Sequence, residues 1–400
     1  MGTTLHIQDI KSFDNQSLLE TWLCVKSHRR RVYFRSNDLP LAAHNESLVA
    51  MTLLPSMKKG YRLVTAGAVS EQFMAAIEDI QDIFCSWDSS LQKIKISGTE
   101  LKKSDPPAEN RIGTFFSGGV DSFYTLLKHR SEITDLIFVI GFDIRLDDDV
   151  HRERTTDIIR TIGTNFGKRV IVVETNLRSF FDPYVHWGNL GHGAALACVG
   201  HLLSSFFKRI YIPATLTQPD IQPCGSHPLI DPLWSTESLE FVHDGYETNR
   251  IDKIRFLAPH DVVLQSLRVC FKNPQSSYNC GRCEKCLRTM ICLYIAGELD
   301  RCTTFNEKLD LKRISNLFIF RESVLTYYRA MLQELEPERD NALYQALEKV
   351  LNQPQWQMKI RGGFEYLRHR LRVIGRRFPR LYHGLKWLEQ KLKNLHYQLS

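Results

Sequence analysis

Residues 114 to 123 read Thr114-Phe115-Phe116-Ser117-Gly118-Gly119-Val120-Asp121-Ser122-Phe123, an apolar strand-like run that turns through two adjacent glycines into a helix-like segment. Adjacent glycines let the backbone turn tightly and bring its N–H groups close to an anion, while the following helix directs its positive end at the same place. Ser117 and Ser122 add hydroxyl donors. Asp121 belongs beside an anion only if it orients the loop or meets a bound Mg²⁺, which prefers carboxylate and phosphate oxygens. A metal–nucleotide ligand therefore accounts for the aspartate. The chain has no G-x-x-x-x-G-K-[ST] sequence, so this is not the loop of ordinary GTPases and ATPases.

Outward from this loop the pattern is a repeated strand and helix from Arg111 to about Phe305. Apolar runs predict strands at Ile112 to Phe116, Leu136 to Gly141, Arg169 to Glu174 and Arg209 to Pro213, separated by helix-length segments. That spacing implies right-handed crossovers, hence an α/β fold with a parallel sheet and helices on both faces. Ligands of such sheets bind at the carboxyl ends of the strands. Residues 1–105 alternate strand-like stretches (Arg31 to Arg35, Tyr61 to Thr65) with a helix that Ser70 can cap, an α+β region without a cluster of chemically useful residues. Residues 102–110, with Pro106 and Pro107, read as a linker. Residues 306–400 read as a helical extension.

With 400 residues, 43% apolar and 24% charged, the chain can bury a large core and form two or three domains. No run of about 18 apolar residues and no secretory leader pattern is evident, which predicts a soluble, cytoplasmic protein. Ten cysteines are too sparse for a secreted disulfide scaffold. Between Lys359 and Lys393 eleven Lys/Arg face only Glu365 and Glu389, a local charge of +9 against +7 for the whole chain. The remainder is therefore slightly negative, unlike a uniformly basic nucleic-acid binder. The tail also carries Phe364, Leu367, Leu371, Ile374 and Trp387, which suits a docked terminal helix, a membrane surface, or a nucleic-acid or acidic protein partner.

Three of the cysteines form Cys280-Gly-Arg-Cys283-Glu-Lys-Cys286, and nine residues separate Cys270 from the first of them. Four thiolates complete the tetrahedral S₄ site that Zn²⁺ favours. The spacing also occurs in iron–sulfur proteins, but those continue with C-x₃-C-P, whereas here Cys292 follows after five residues without a proline. Zinc, an iron–sulfur cluster and unligated thiols are the readings, with zinc preferred. A closed four-cysteine site leaves no place for substrate and is structural.

Ser117-Gly118-Gly119-Val120-Asp121-Ser122 closely resembles the S-G-G-x-D-S signature of the PP-loop ATP pyrophosphatase superfamily. Its members adenylate a carboxylate, amide or carbonyl oxygen and release pyrophosphate. With the cysteine cluster about 150 residues later and Leu287-Arg288 behind it, residues 111 to about 305 are similar to the 7-cyano-7-deazaguanine synthase family, which turns a carboxylate into a nitrile with ammonia and ATP. Departures leave the acceptor open. The family's Tyr-Pro-Asp-Cys substrate segment is replaced by Gln218-Pro-Asp-Ile-Gln-Pro-Cys-Gly-Ser-His-Pro228, and the first 110 and last 95 residues have no counterpart.

The resemblance implies an adenine nucleotide α-hydrolase-like fold. It implies ATP and Mg²⁺ on Ser117, Gly118, Gly119, Val120, Asp121 and Ser122, with adenine and ribose near Phe142 and Asp143 after the second strand. Asp121, Ser122, Lys253 and Arg288 are the catalytic candidates, the last two as cations that neutralise pyrophosphate or else as ordinary salt-bridge partners. Cys224, Gly225, Ser226, His227 and Asp231, after the fourth strand, are candidates for the substrate wall or else a surface loop. His192, before an alanine-rich helix, can face the nucleotide or simply pack. The expected function is AMP- and pyrophosphate-forming activation of a carboxylate or carbonyl, followed by attack of a nitrogen nucleophile. A tRNA thiolation enzyme using Cys224 and a non-catalytic ATP-binding interaction module are the alternatives.

Overall fold

The computed structural model describes residues 4–13, 16–25, 28–319, 321–338 and 340–353, so the basic stretch 359–393 lies outside the described residues. The chain divides into two compact units, residues 1–278 and 279–400.

The strands are β1 (Thr4–Phe13), β2 (Leu18–Val25), β3 (His28–Arg35), β4 (Arg62–Val69), β5 (Ile96–Leu101), β6 (Arg111–Phe115), β7 (Asp135–Ile140), β8 (Arg169–Thr175), β9 (Phe207–Pro213) and β10 (Glu240–Asp244). In the first unit they form one sheet in the order β10-β9-β6-β7-β8-β3-β2-β1-β4-β5. The four strands expected from their apolar runs are β6 to β9; they lie parallel, and β10 adds to β9 in the same sense. Every residue of β6 is buried, and all of β7 but Val139, as a parallel sheet covered by helices requires.

The helices of this unit are α1 (Asn45–Lys59), α2 (Glu71–Trp87), α3 (Val120–Lys128), α4 (Asp149–Phe166), α5 (Leu177–Phe181), α6 (His192–Leu202), α7 (Arg250–Leu257) and α8 (Asp261–Leu264). β6 is followed by β7 and β8 on one side, and the chain then returns through α5 and α6 to lay β9 on the other side of β6. The switch point therefore lies between the carboxyl ends of β6 and β9, where the glycine loop emerges.

The amino-terminal strands join the same sheet. β1, β2 and β3 form an antiparallel meander, and β3 meets β8 antiparallel through Phe34 opposite Thr175 and Arg35 opposite Glu174. Ser70 caps α2, its Oγ accepting the Phe73 N–H at 3.0 Å, and Phe73, Ile77, Ile80 and Phe84 bury one face of that helix. α1 is buried on all sides from Glu46 to Met57.

The second unit is helical in its described part: α9 (Glu284–Ile295), α10 (Leu311–Ser315), α11 (Glu322–Glu334) and α12 (Asn341–Leu351). Among the described residues no helix is long and apolar enough to cross a membrane.

Candidate functional site

The glycine loop follows β6 without a break. Phe116 still pairs with the sheet, its N–H donating to Ile137 O at 2.8 Å, and Ser117 is the first exposed residue. Gly118 takes φ +74°, a left-handed conformation that costs any other residue about 1 kcal/mol or more. Gly119 is the N-cap of α3, so the first N–H groups of that helix point back over the loop. The Ser122 hydroxyl donates to Gly119 O at 2.9 Å and braces the turn.

Three buried cations surround this turn. Lys253, in α7, donates from Nζ to Asp121 Oδ1 at 3.0 Å and to Ala214 O, just past β9, at 2.7 Å. Arg250, one turn earlier, reaches Asp121 Oδ2 at 3.4 Å. Asn249 starts α7 by accepting the N–H groups of Ile251 and Asp252, so a side-chain cap sets where both cations fall. Arg268 is the third cation: its N–H donates to Gly118 O at 2.7 Å, and its Nη1 lies 3.4 Å from Ser117 O. Only 4% of Arg268 is exposed, yet Nε and Nη2 have no hydrogen-bond partner among the described residues. Lys253 and Arg250 thus share the Asp121 carboxylate, and Arg268 meets the turn through its own backbone contact.

His151, in the first turn of α4, is buried, and neither ring nitrogen has a hydrogen-bond partner among the described residues. Burial, and after it the Arg268 charge, pushes this imidazole below its ordinary range, so it is neutral at pH 7. Buried polar atoms without partners are costly.

After β7, Phe142 is buried and packs edge-on against Trp187 with ring centroids 4.9 Å apart. Asp143 lies 3.8 Å from the guanidinium of Arg178, which stacks 4.9 Å over Trp187 and donates to Phe142 O. Trp187 opens a π-helical turn, Trp187–Gly191, that leads into His192 at the start of α6. Burial lowers the His192 imidazole, against the pull of Asp231 and Asp143.

The segment after β9 folds back onto this corner. A Cβ on Gly193 would stand 1.8 Å from Gly225 O, so the first turn of α6 and the Gly225 backbone touch directly. Asp231 is wholly buried and accepts from Ser226 Oγ at 2.5 Å and from His243 Nδ1, in β10, at 2.7 Å. His227 packs on Trp87 with centroids 4.8 Å apart, and its Nδ1 accepts the Leu229 N–H. The Cys224 thiol donates to Ser226 O at 2.8 Å; burial, with the Asp231 carboxylate behind it, pushes it up to about 12. It is a thiol at neutral pH.

The Sγ atoms of Cys270, Cys280, Cys283 and Cys286 all lie within 4.8 Å of one another, and those of Cys280 and Cys286 are 3.9 Å apart. Four thiolates about 2.3 Å from one zinc ion stand about 3.8 Å from each other, so the cluster can hold a metal ion such as zinc. Gly281, at φ +63°, makes the knuckle, and the N–H groups of Asn273 and Cys283 donate to the sulfurs of Cys270 and Cys280 at 3.3 Å each. Such N–H donors stabilise thiolate over thiol.

Arg288, in α9, is buried within the second unit, 3.1 Å from Glu284 and 4.3 Å over the Tyr327 ring. Burial works against its charge, but Glu284 and the two tyrosines Tyr327 and Tyr328 hold it above its ordinary range.

The structure thus gathers Asp121 and Lys253, then Ser226 and Asp231, then the four cysteines, around three local centres. Sequence reading passed over Arg250, Arg268, His151 and His243. Only His243 carried a signal, since His243-Asp244-Gly245 ends an apolar strand. No family model, curated protein or solved structure matches the chain.

Proposed function

We propose that this chain is an ATP pyrophosphatase of the PP-loop kind, which activates a carboxylate or carbonyl oxygen by adenylation and passes it to a nitrogen nucleophile. The observation that carries the reading is Arg268. A guanidinium that is 4% exposed, tied by its own backbone to Gly118 and lacking partners at Nε and Nη2 among the described residues, suits the binding of an oxyanion. With the left-handed glycine and the start of α3 beside it, a polyphosphate is the anion that fits.

In this reading the loop N–H groups and Arg268 hold the β- and γ-phosphates as leaving group, while Lys253, anchored by Ala214 O, faces the developing charge. Mg²⁺, when bound, screens the phosphates. Asp121 suits it, because its carboxylate stands at the loop and Mg²⁺ prefers carboxylate and phosphate oxygens. Catalysis then rests on in-line positioning of the substrate oxygen at the α-phosphorus. Zinc belongs to the cysteine cluster and has a structural role there. Nitrogen is preferred over sulfur because the thiolation alternative needs a reactive thiolate, and Cys224 is held as a hydrogen-bonded thiol.

The test is nucleotide analysis after incubation with ATP, Mg²⁺, ammonium and a fractionated extract of small carboxylic acids. AMP and pyrophosphate in equal amounts, dependent on one fraction, is the expected result. Formation of ADP, or no binding of Mg·ATP by calorimetry, overturns the proposal.

A further inference from the structure

Asp231 and His243 are the one buried carboxylate–imidazole contact in the first unit's described residues that sits on the face of β10 turned away from α3. Neighbouring strand residues point to opposite faces. Asp244 turns toward α3, where it accepts from Thr125 at 2.7 Å, Lys128 at 2.8 Å and His129 at 2.9 Å. His243 turns the other way, onto Asp231. A carboxylate in contact with Nδ1 can only accept, so Nδ1 carries a proton, and in the neutral ring Nε2 then holds the lone pair. Nε2 has no hydrogen-bond partner among the described residues, and the nearest ring, that of Tyr246, is 5.6 Å away between centroids. Asp231 Oδ1 is buried without a partner among the described residues, and both donors, the imidazole and Ser226, meet Oδ2.

The pair is wired to the loop. Asp244 O accepts the Ala214 N–H at 2.7 Å, Ala214 O accepts from Lys253 at 2.7 Å, and Lys253 reaches Asp121 at 3.0 Å. His243 is thus one peptide and three hydrogen bonds from the glycine-loop aspartate, at the carboxyl edge of β10 where the sheet presents ligands. Trp187, packed on Phe142 after β7, has its carbonyl 3.3 Å from His192 Nδ1, and a Cβ on Gly225 would stand 2.6 Å from that same nitrogen, so the segment carrying Ser226 and Asp231 meets the end of β7 at one corner.

Resting on the ATP reading above, we infer that Asp231 and His243 form the general base of the second half-reaction. An amine or ammonia attacks the adenylated carbon; the C–N bond forms and the C–O bond to AMP breaks, its electron pair leaving with the AMP phosphate. The proton shed by nitrogen passes to His243 Nε2. Asp231 stabilises the imidazolium through the Nδ1–H and stays ionised. Ser226 fixes the carboxylate and touches no reacting atom.

Two measurements test this. In the first, the full chain is treated with diethyl pyrocarbonate and histidine peptides are mapped by mass, with and without Mg²⁺ and α,β-methylene-ATP. His243 should be modified, the nucleotide should slow that modification at least tenfold, and Asp231→Asn should slow it without nucleotide. If the analogue binds by calorimetry and His243 is unprotected or unreactive, the base assignment falls while the ATP reading survives. If the analogue does not bind, the ATP reading itself falls. Should Asp231→Asn not fold, the wild-type protection result decides alone. In the second, His243→Gln should slow turnover with ammonium about a hundredfold, and hydroxylamine, which attacks without a base, should restore it. An equal loss with both nucleophiles reduces His243 to a pin for the loop and overturns the inference.

Discussion

The peptide N–H of Arg268 donates to the carbonyl of Gly118 at 2.7 Å, so the left-handed residue of the glycine loop and a buried, part-unpartnered guanidinium are held as one unit. Neither could be placed by packing alone: a Cβ on Gly118 would lie 3.4 Å from Arg268 Cβ and 3.4 Å from Ile159 Cδ1, at ordinary contact. It is the backbone conformation that demands glycine, and the carbonyl turned by that conformation that receives Arg268.

Arg268→Met should separate binding from stability. Removing a buried cation whose hydrogen-bonding capacity is only partly met leaves stability unchanged or raises it by about 1 kcal/mol. Affinity for Mg·ATP should fall at least tenfold, about 1.4 kcal/mol. Urea unfolding and calorimetry on the same preparation read both. Unaltered nucleotide affinity with a loss of stability would make Arg268 a structural group.

Asp121→Ala should be costly for a reason beyond chemistry. Asp121 is the counter-charge for Lys253, 1% exposed, and Arg250, 3% exposed. Stripping one partner from a buried pair costs about 3 to 5 kcal/mol, and the lower figure applies because Asp121 is itself partly exposed. The double variant Asp121→Ala with Lys253→Met should regain much of that stability, while AMP formation stays absent in both. Full stability of the single variant would contradict the ion pairing.

The four central strands were legible because each is a short apolar run, and β6 to β9 begin within two residues of where those runs predict them. The Ser70 cap was legible too, being a local interaction. α1 was not: it is buried all round and contains Pro55, so it shows neither an apolar stripe nor a helix-like composition. The junction of β3 with β8 rests on two residue pairs far apart in sequence, which no local pattern encodes. In the site, the glycine loop and the cysteines could be read from spacing, whereas Arg268 and His243 owe their roles to partners 150 and 12 residues away.

For the cysteine cluster the expectation is about one zinc per chain, and Cys283→Ser should lose it. Metal binding energy is folding energy, so the variant should unfold at markedly lower urea, and chelation of the wild type should mimic it. Elemental analysis of protein purified without air supplies the check; iron with inorganic sulfide in place of zinc overturns the zinc assignment.

The last prediction concerns Glu237, whose carboxylate ties three separate stretches of the first unit together. Oε1 accepts the Gln72 N–H at 2.9 Å in the first turn of α2, and Oε2 accepts Ser70 Oγ at 2.7 Å and the Ser104 N–H at 3.1 Å. Partial burial opposes its charge, but the N–H groups of Gln72 and Ser104 and the Ser70 hydroxyl outweigh it and hold the carboxyl down to about 2. An acid depressed in the folded state adds stability that is fully present above its unfolded value, about 4.3, and is lost as pH falls through the folded value. The residue is largely exposed, so solvent screening limits the effect, and a charge at a helix start is worth about 0.3 to 1 kcal/mol. Glu237→Gln should therefore cost about that much at pH 7, and the gap to wild type should shrink steadily below pH 4 as the native carboxylate takes up its proton. Urea unfolding of both proteins across pH 7 to 3 measures it. A gap that stays constant with pH would mean that the carboxylate's charge contributes nothing and that shape alone holds α2, Ser104 and this turn together.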